Sequence, residues 1–76
     1  MNSNKTLLAI GKAIRYFRED RKWTQEYLGF KANLDRTYIG GAERGERNMT
    51  INTIITIAKA LDINFYDLIK KAAEYE

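Results

Sequence analysis

Thr24-Gln25-Glu26-Tyr27-Leu28-Gly29-Phe30-Lys31-Ala32-Asn33-Leu34-Asp35-Arg36-Thr37-Tyr38-Ile39-Gly40-Gly41-Ala42-Glu43-Arg44 is the stretch on which the fold turns. Thr24 is a residue type suited to an N-cap, and Gln25 and Glu26 come next in a first turn. The helix they open carries Tyr27, Leu28 and Phe30 and lasts only two turns. Ala32-Asn33-Leu34 breaks it, because Asn tolerates the left-handed backbone of a helix end better than most residues. Asp35 then caps a second short helix that runs to Arg44 with one clear apolar anchor, Ile39. Its interior glycines, Gly40 and Gly41, each cost about 1 kcal/mol relative to Ala, so it is a poor helix judged alone. Two short helices across a turn of three or four residues, about 24–44, make a helix-turn-helix unit.

Working outward, Leu7, Ile10, Ile14 and Phe17 recur at spacings of three and four and predict a helix over about Thr6–Arg21. Arg18, Arg21 and Lys22 fall near its C-terminus, where the macrodipole favours cations. On the other side, Gly45-Glu46-Arg47-Asn48-Met49 reads as a polar loop opened by a C-cap glycine, and Thr50 caps the next helix. Residues 51–57 are rich in Ile and Thr, which suggests a strand by propensity. Ile51, Ile54, Ile55, Ala58 and Leu61 nevertheless keep helical spacing and predict a fourth helix. Asn64, with Asp67 three residues on, resembles a capping pair opening a fifth, with Phe65, Leu68, Ile69 and Ala72 on one face. Glu74, Tyr75 and Glu76 read as a frayed tail. No internal repeat, linker or low-complexity tract is evident, and residues 1–76 are expected to form one all-α domain of five helices.

Composition narrows the function. The 76 residues contain no His, no Cys and no Pro. The common thiolate and imidazole metal ligands, the cysteine nucleophile and the usual general base at pH 7 are therefore missing, and neither a metal nor another cofactor is expected. Glu19 and Asp20 are adjacent, and Glu43 and Glu46 are three apart, but no nucleophile, second base or phosphate-binding loop accompanies either pair, so solvated charge explains them and no enzyme is expected. Leu7-Leu8-Ala9-Ile10 is far short of the roughly 20 residues of a membrane span, and Met1-Asn2-Ser3-Asn4 begins no secretory signal. A soluble, cytoplasmic protein with neither membrane nor small-molecule partner is expected. A chain this short is marginally stable alone, which makes a dimer a reasonable expectation.

Charge is uneven: residues 1–50 hold ten basic and six acidic side chains, and 51–76 hold three and four. The positive field belongs to the first two thirds, although charge runs are usually just solvated faces. Within it, Arg36, Thr37 and Tyr38 occupy the first turn of the second short helix, the part of a helix-turn-helix that reaches base edges in the major groove. An Arg there donates two bonds to guanine, and a Thr bonds a base or touches a thymine methyl. The plain alternative is the exposed first turn of any surface helix. Ile51, Ile54, Ile55, Ile57, Leu61, Ile63, Phe65, Leu68 and Ile69 crowd into nineteen residues, more apolar surface than two short helices need for a small core. The surplus, with Ile63, Phe65 and Ile69 as candidates, predicts a dimer interface within about 51–73.

Ile14-Arg15-Tyr16-Phe17-Arg18, Trp23-Thr24-Gln25-Glu26-Tyr27-Leu28-Gly29, Asp35-Arg36-Thr37-Tyr38-Ile39 and Glu43-Arg44-Gly45 together resemble the Cro and phage-repressor class of helix-turn-helix domains, the XRE-like family, over about residues 7–70. Within that class, Leu34 to Gly41 with Glu43-Arg44-Gly45-Glu46-Arg47-Asn48 beyond it is most similar to the controller proteins of restriction-modification systems. The chain departs from the family pattern at Gly29, Asn33 and Ala42. The resemblance implies a compact lambda-repressor-like fold and a homodimer on a palindromic operator in double-stranded DNA, activating and repressing its own and an endonuclease promoter. RNA polymerase is then a candidate partner. It implies base contacts from Arg36, Thr37, Tyr38 and Arg47, backbone contacts from Thr24, Gln25, Arg44 and Asn48, and a structural pair, Arg18 with Glu43. A phage-type or toxin-antitoxin repressor is the alternative within the class, and a protein-interaction helix-turn-helix module the alternative outside it.

Overall fold

The computed structural model describes residues 3–76, so Met1 and Asn2, at the start of the stretch where no leader is expected, lie outside the described residues. Five helices run in order: α1 (Ser3–Asp20), α2 (Gln25–Ala32), α3 (Arg36–Glu43), α4 (Ile51–Ala60) and α5 (Phe65–Ala73). Among the described residues there is no strand, as the all-α reading expects. The isoleucine-rich segment at 51–57 is helical because its apolar spacing, and not its β propensity, matches what the neighbouring helices bury.

Three connectors share one construction. Lys22, Asn33 and Asp62 each take a left-handed backbone, φ 57–58°. The apolar residue after each turns inward, and its N–H reaches back five residues: Trp23 to the Arg18 carbonyl, Leu34 to Gly29 and Ile63 to Ala58. This is the Schellman termination, in which a bond from the second residue past the helix end satisfies an otherwise orphan carbonyl. Trp23, Leu34 and Ile63 are all half-buried against the core. The next residue then caps the helix beyond: Thr24, Asp35 and Asn64 accept from Tyr27, Thr37 and Tyr66 N–H. A three-residue module, left-handed residue, apolar plug and N-cap, thus recurs where no repeat is expected from sequence. Asn64 caps α5 without help from the Asp67 side chain. Gly45, φ 74°, turns the chain after α3 in the same way.

The core is built from α1 (Ala13, Ile14), Leu28, Ile39, α4 (Ile57, with Leu61 just past its end) and Leu68, all fully buried. On α1 the predicted stripe faces inward. On α4 the inward face is rotated from the one expected: Ile54, Ile57 and Ala58 are buried, Ile55 is half-buried and Ile51 is 60% exposed. Ile51 opens the first turn of α4 and stays on the surface. Two of the departures from the family pattern fall where space decides. A Cβ at position 29 would meet the Leu34 carbonyl oxygen at 2.5 Å, so glycine lets the α2–α3 turn close more tightly here than a larger residue would, and Ala42 is fully buried where the backbone of α3 lies against Gly11 of α1. The expected frayed tail is a correction. Glu76 accepts from the Thr6 hydroxyl at 2.6 Å, and Lys71 pairs with Glu74 at 3.1 Å while lying over the Tyr16 ring, so the end of the chain is tied to α1.

Candidate nucleic-acid interface

The N-terminal turns of α2 and α3 open on one shallow groove of about 580 Å³, whose walls include Thr24, Gln25, Arg36, Thr37 and Arg44. Thr24 Oγ1 accepts from Tyr27 N–H at 3.0 Å and Asp35 Oδ1 from Thr37 N–H at 2.7 Å, which fixes both first turns. The Thr37 N–H, then the Thr37 hydroxyl, hold the Asp35 carboxyl below the usual carboxylate range, with Arg36 and Arg47 adding to the effect. Each helix start leaves N–H groups without intrahelical acceptors, and their partial positive charge suits an anion.

Behind the groove lies a buried polar cluster. Arg18 Nε and Nη2 donate to the two oxygens of Glu43 at 2.7 and 3.0 Å, and Arg18 Nη1 donates to the Trp23 carbonyl at 2.7 Å. Gln25 Nε2 donates to Glu43 Oε1 at 3.0 Å. Glu43 is 6% exposed and Arg18 9%, and the bond to Glu43 raises the Arg18 pKa above its ordinary value against the pull of burial. α1, the first turn of α2 and the end of α3 are therefore locked in one mutual orientation. Gln25, which the family resemblance makes a phosphate ligand, has part of its amide committed inward to Glu43. Eighteen residues separate the two, and no local pattern signals the bond.

Arg36 and Thr37 are exposed, and Tyr38 is half-buried. Arg36 Nη1 stands 3.9 Å from Glu26 Oε2 with both side chains at least 70% exposed, an ion pair worth little and readily exchanged for an outside acceptor. Arg44 caps the end of α3 and pairs loosely with Glu46 at 3.2 Å. The Arg47 guanidinium lies over the Tyr38 ring, 5.4 Å from its centroid. Asn48 is exposed in the same loop, without a side-chain hydrogen bond to the others. Cations thus flank α3 on both sides of an exposed first turn, which is the charge arrangement that phosphate contacts require.

The candidate dimer residues sit differently. Ile63, Phe65 and Ile69 are half-buried and pack on the monomer's own core, Ile63 as the plug of the third connector. The strongly exposed apolar side chains in that half are Ile51 at 60%, which sequence spacing puts on the inward stripe, and Tyr66 at 75%, which it does not single out. A second shallow groove, of about 710 Å³, lies away from α3 where the ends of α1, α2 and α4 meet, with Arg21, Lys31 and Lys59 on its rim. Each of these cations lies at a helix C-terminus, where the macrodipole already favours it. Among the described residues no helix is long and apolar enough to cross a membrane.

A helix-turn-helix family model matches residues 14–68. Control protein C.SmaI of Serratia marcescens is 39% identical over 62 residues, 82% of this chain and 74% of that protein. The structure superposes with a TM-score of 0.79 on the restriction-modification controller protein C.AhdI of Aeromonas hydrophila, 42% identical, covering 82% of this chain and 94% of that one. It superposes equally, TM-score 0.79 and 40% identity over 90% of this chain and 95% of that one, on the controller protein C.Esp1396I, solved as a tetramer in complex with its natural 35 base-pair operator. With family model, relative and folds in agreement, the chain belongs to the helix-turn-helix family and, within it, to the restriction-modification controller proteins.

Proposed function

We propose that this protein is a sequence-specific DNA-binding transcription regulator that works as a homodimer on a palindromic operator, controlling its own and an endonuclease promoter. The observation that carries the reading is the exposed Arg36–Thr37 turn at the start of α3, held rigidly by the Arg18–Glu43–Gln25 cluster and flanked by Arg44 and Arg47. The controller protein C.Esp1396I, solved on its operator, supports it. In this reading Arg36, Thr37, Tyr38 and Arg47 meet base edges, and Thr24, Gln25, Arg44 and Asn48 meet the sugar-phosphate backbone. The chain forms one domain, with the reading unit at about 24–44 and self-association through about 51–73. RNA polymerase is the partner through which activation acts. The protein works in the cytoplasm and carries out no catalysis.

Replacing Arg36 with Ala should weaken binding to the specific site by about 1–3 kcal/mol and relax the preference at one base pair per half-site, as loss of a bidentate base contact does. Titration of both proteins against operator and scrambled duplexes checks this. An equal loss on the two duplexes would make Arg36 a phosphate contact, and absence of any preference in the unmodified protein would remove the reading altogether.

A further inference from the structure

Tyr38 and Gly41 stand three residues apart on α3, and the side chain of Arg47 lies along that side of the helix. A Cβ placed on Gly41 would meet Arg47 Nε at 2.9 Å, Cγ at 3.2 Å and Cδ at 3.5 Å, and these are its three nearest neighbours. The guanidinium beyond them rests over the Tyr38 ring, 5.4 Å from the centroid. Gly41 is buried, yet what covers it is a side chain from the loop and not a packed helix. Glycine in the middle of an eight-residue helix weakens that helix, and here neither a positive φ nor a close backbone approach calls for it.

We infer that Gly41 is a specificity-determining positioning residue, whose missing side chain lets Arg47 lie across α3 and present its guanidinium, stacked on Tyr38, beside the Arg36–Thr37 turn. The inference rests on the DNA-reading function proposed above and deepens it. Arg47 belongs to a loop, and a free arginine on a loop would scatter over many rotamers. The Gly41 surface below and the Tyr38 ring beyond confine it before DNA arrives, so less conformational freedom is lost when a base is bound. Gly40 serves the opposite side, where a Cβ would come within 3.2 Å of Arg44 Nη1 and 3.3 Å of Gln25 Oε1. The consecutive glycines therefore bed one arginine on each flank of the reading helix. An alanine at position 41 is incompatible only with this placement of Arg47, because that exposed side chain can swing away.

The test is a double-mutant cycle on Gly41→Ala and Arg47→Ala, with affinities measured by fluorescence anisotropy on the best site selected from random-sequence DNA and on a scrambled duplex. Gly41→Ala should lose about tenfold on the selected site, the scale of one base contact, and far less on the scrambled one. In the Arg47→Ala background the same change should cost nothing further, while the melting temperature holds or rises in both backgrounds because alanine favours helix. The Arg47 Nε–H proton resonance, read without DNA, should carry a ring-current shift from Tyr38 that Gly41→Ala abolishes and Tyr38→Phe keeps. Penalties that multiply, or a Gly41→Ala protein with unchanged preference, overturn the inference while leaving the DNA-reading function standing. An unmodified protein that does not distinguish the two duplexes overturns that function instead, and the proton shift then shows separately whether Gly41 seats Arg47.

Discussion

The Arg18–Glu43 pair shows how much of the site depends on two side chains. Both are nearly excluded from water, and their charges are matched with hydrogen bonds on all sides. Such a pair adds little over a well-packed apolar one, but removing one partner strands the other. Arg18→Ala should therefore cost about 3 kcal/mol or more, a large share of what a domain of this size has, whereas joint replacement by Met and Leu should cost less than either single change. Urea unfolding of the three variants checks it, and a mild effect of Arg18→Ala would mean water reaches Glu43. Asp35 supplies a pH dependence. Its carboxyl is held low by the Thr37 N–H, so its contribution is fully present above the unfolded pKa and is lost as pH falls through the lower folded value. Stability measured from pH 7 to pH 2 should fall less steeply at the acid end in Asp35→Ala than in the unmodified protein. Identical acid limbs would contradict the assignment. Arg18 and Glu43 are legible as a pair through resemblance alone, since nothing in the chain between them marks a contact. Gln25, the third member, is legible as a helix start but not as a donor to Glu43.

At the scale of elements, the connectors decide the fold as much as the helices do. Each turns the chain in three residues, so α2 and α3 begin at angles fixed by the left-handed residue before them, and those angles aim their first turns at a common groove. Asn33 is readable from sequence because its side chain is suited to that backbone. Asp62 is open to the same argument, whereas Lys22 is not, because a long side chain gives the left-handed backbone no local hydrogen bond. Asn33→Ala should destabilise by about 1 kcal/mol, since a β-carbon there crowds the neighbouring carbonyl without the compensation an Asn side chain provides, and should lower the melting temperature by about 4–8 °C. Calorimetry tests this, and an unchanged melting temperature would show that the turn relaxes away from the left-handed region. Boundaries of α2 to α5 are readable from caps and breakers. The inward face of α4 is not, because Ile recurs at positions 51, 54, 55 and 57 and spacing alone allows more than one stripe. Packing chooses Ile54 and Ile57, and so leaves Ile51 on the surface.

For the whole molecule, about 32 × 22 × 21 Å, one monomer can offer a single reading helix to one major groove. Exposed Arg36, Arg44 and Arg47 on α3 and the loop after it are placed to meet a phosphate backbone, while the weakly charged half around α4 and α5 exposes Ile51 and Tyr66 and leaves Phe65 and Ile69 half-buried. In the proposed homodimer, a two-fold pairing through that half would bring two reading helices to one side of a duplex, about 34 Å or one helical turn apart. The apolar surplus is legible in the sequence as a count, but its division between core and surface needs the structure. The same geometry defines the most direct test: selection of bound duplexes from a random-sequence library by the unmodified protein at about 0.1 M salt, where non-specific attraction is already weakened. The expected result is an inverted repeat whose half-sites are centred about 10 base pairs apart, each specified at the few positions reached by the Arg36–Thr37 turn and Arg47. A recovered pool no different from the input library, or a motif without two-fold symmetry, would contradict it.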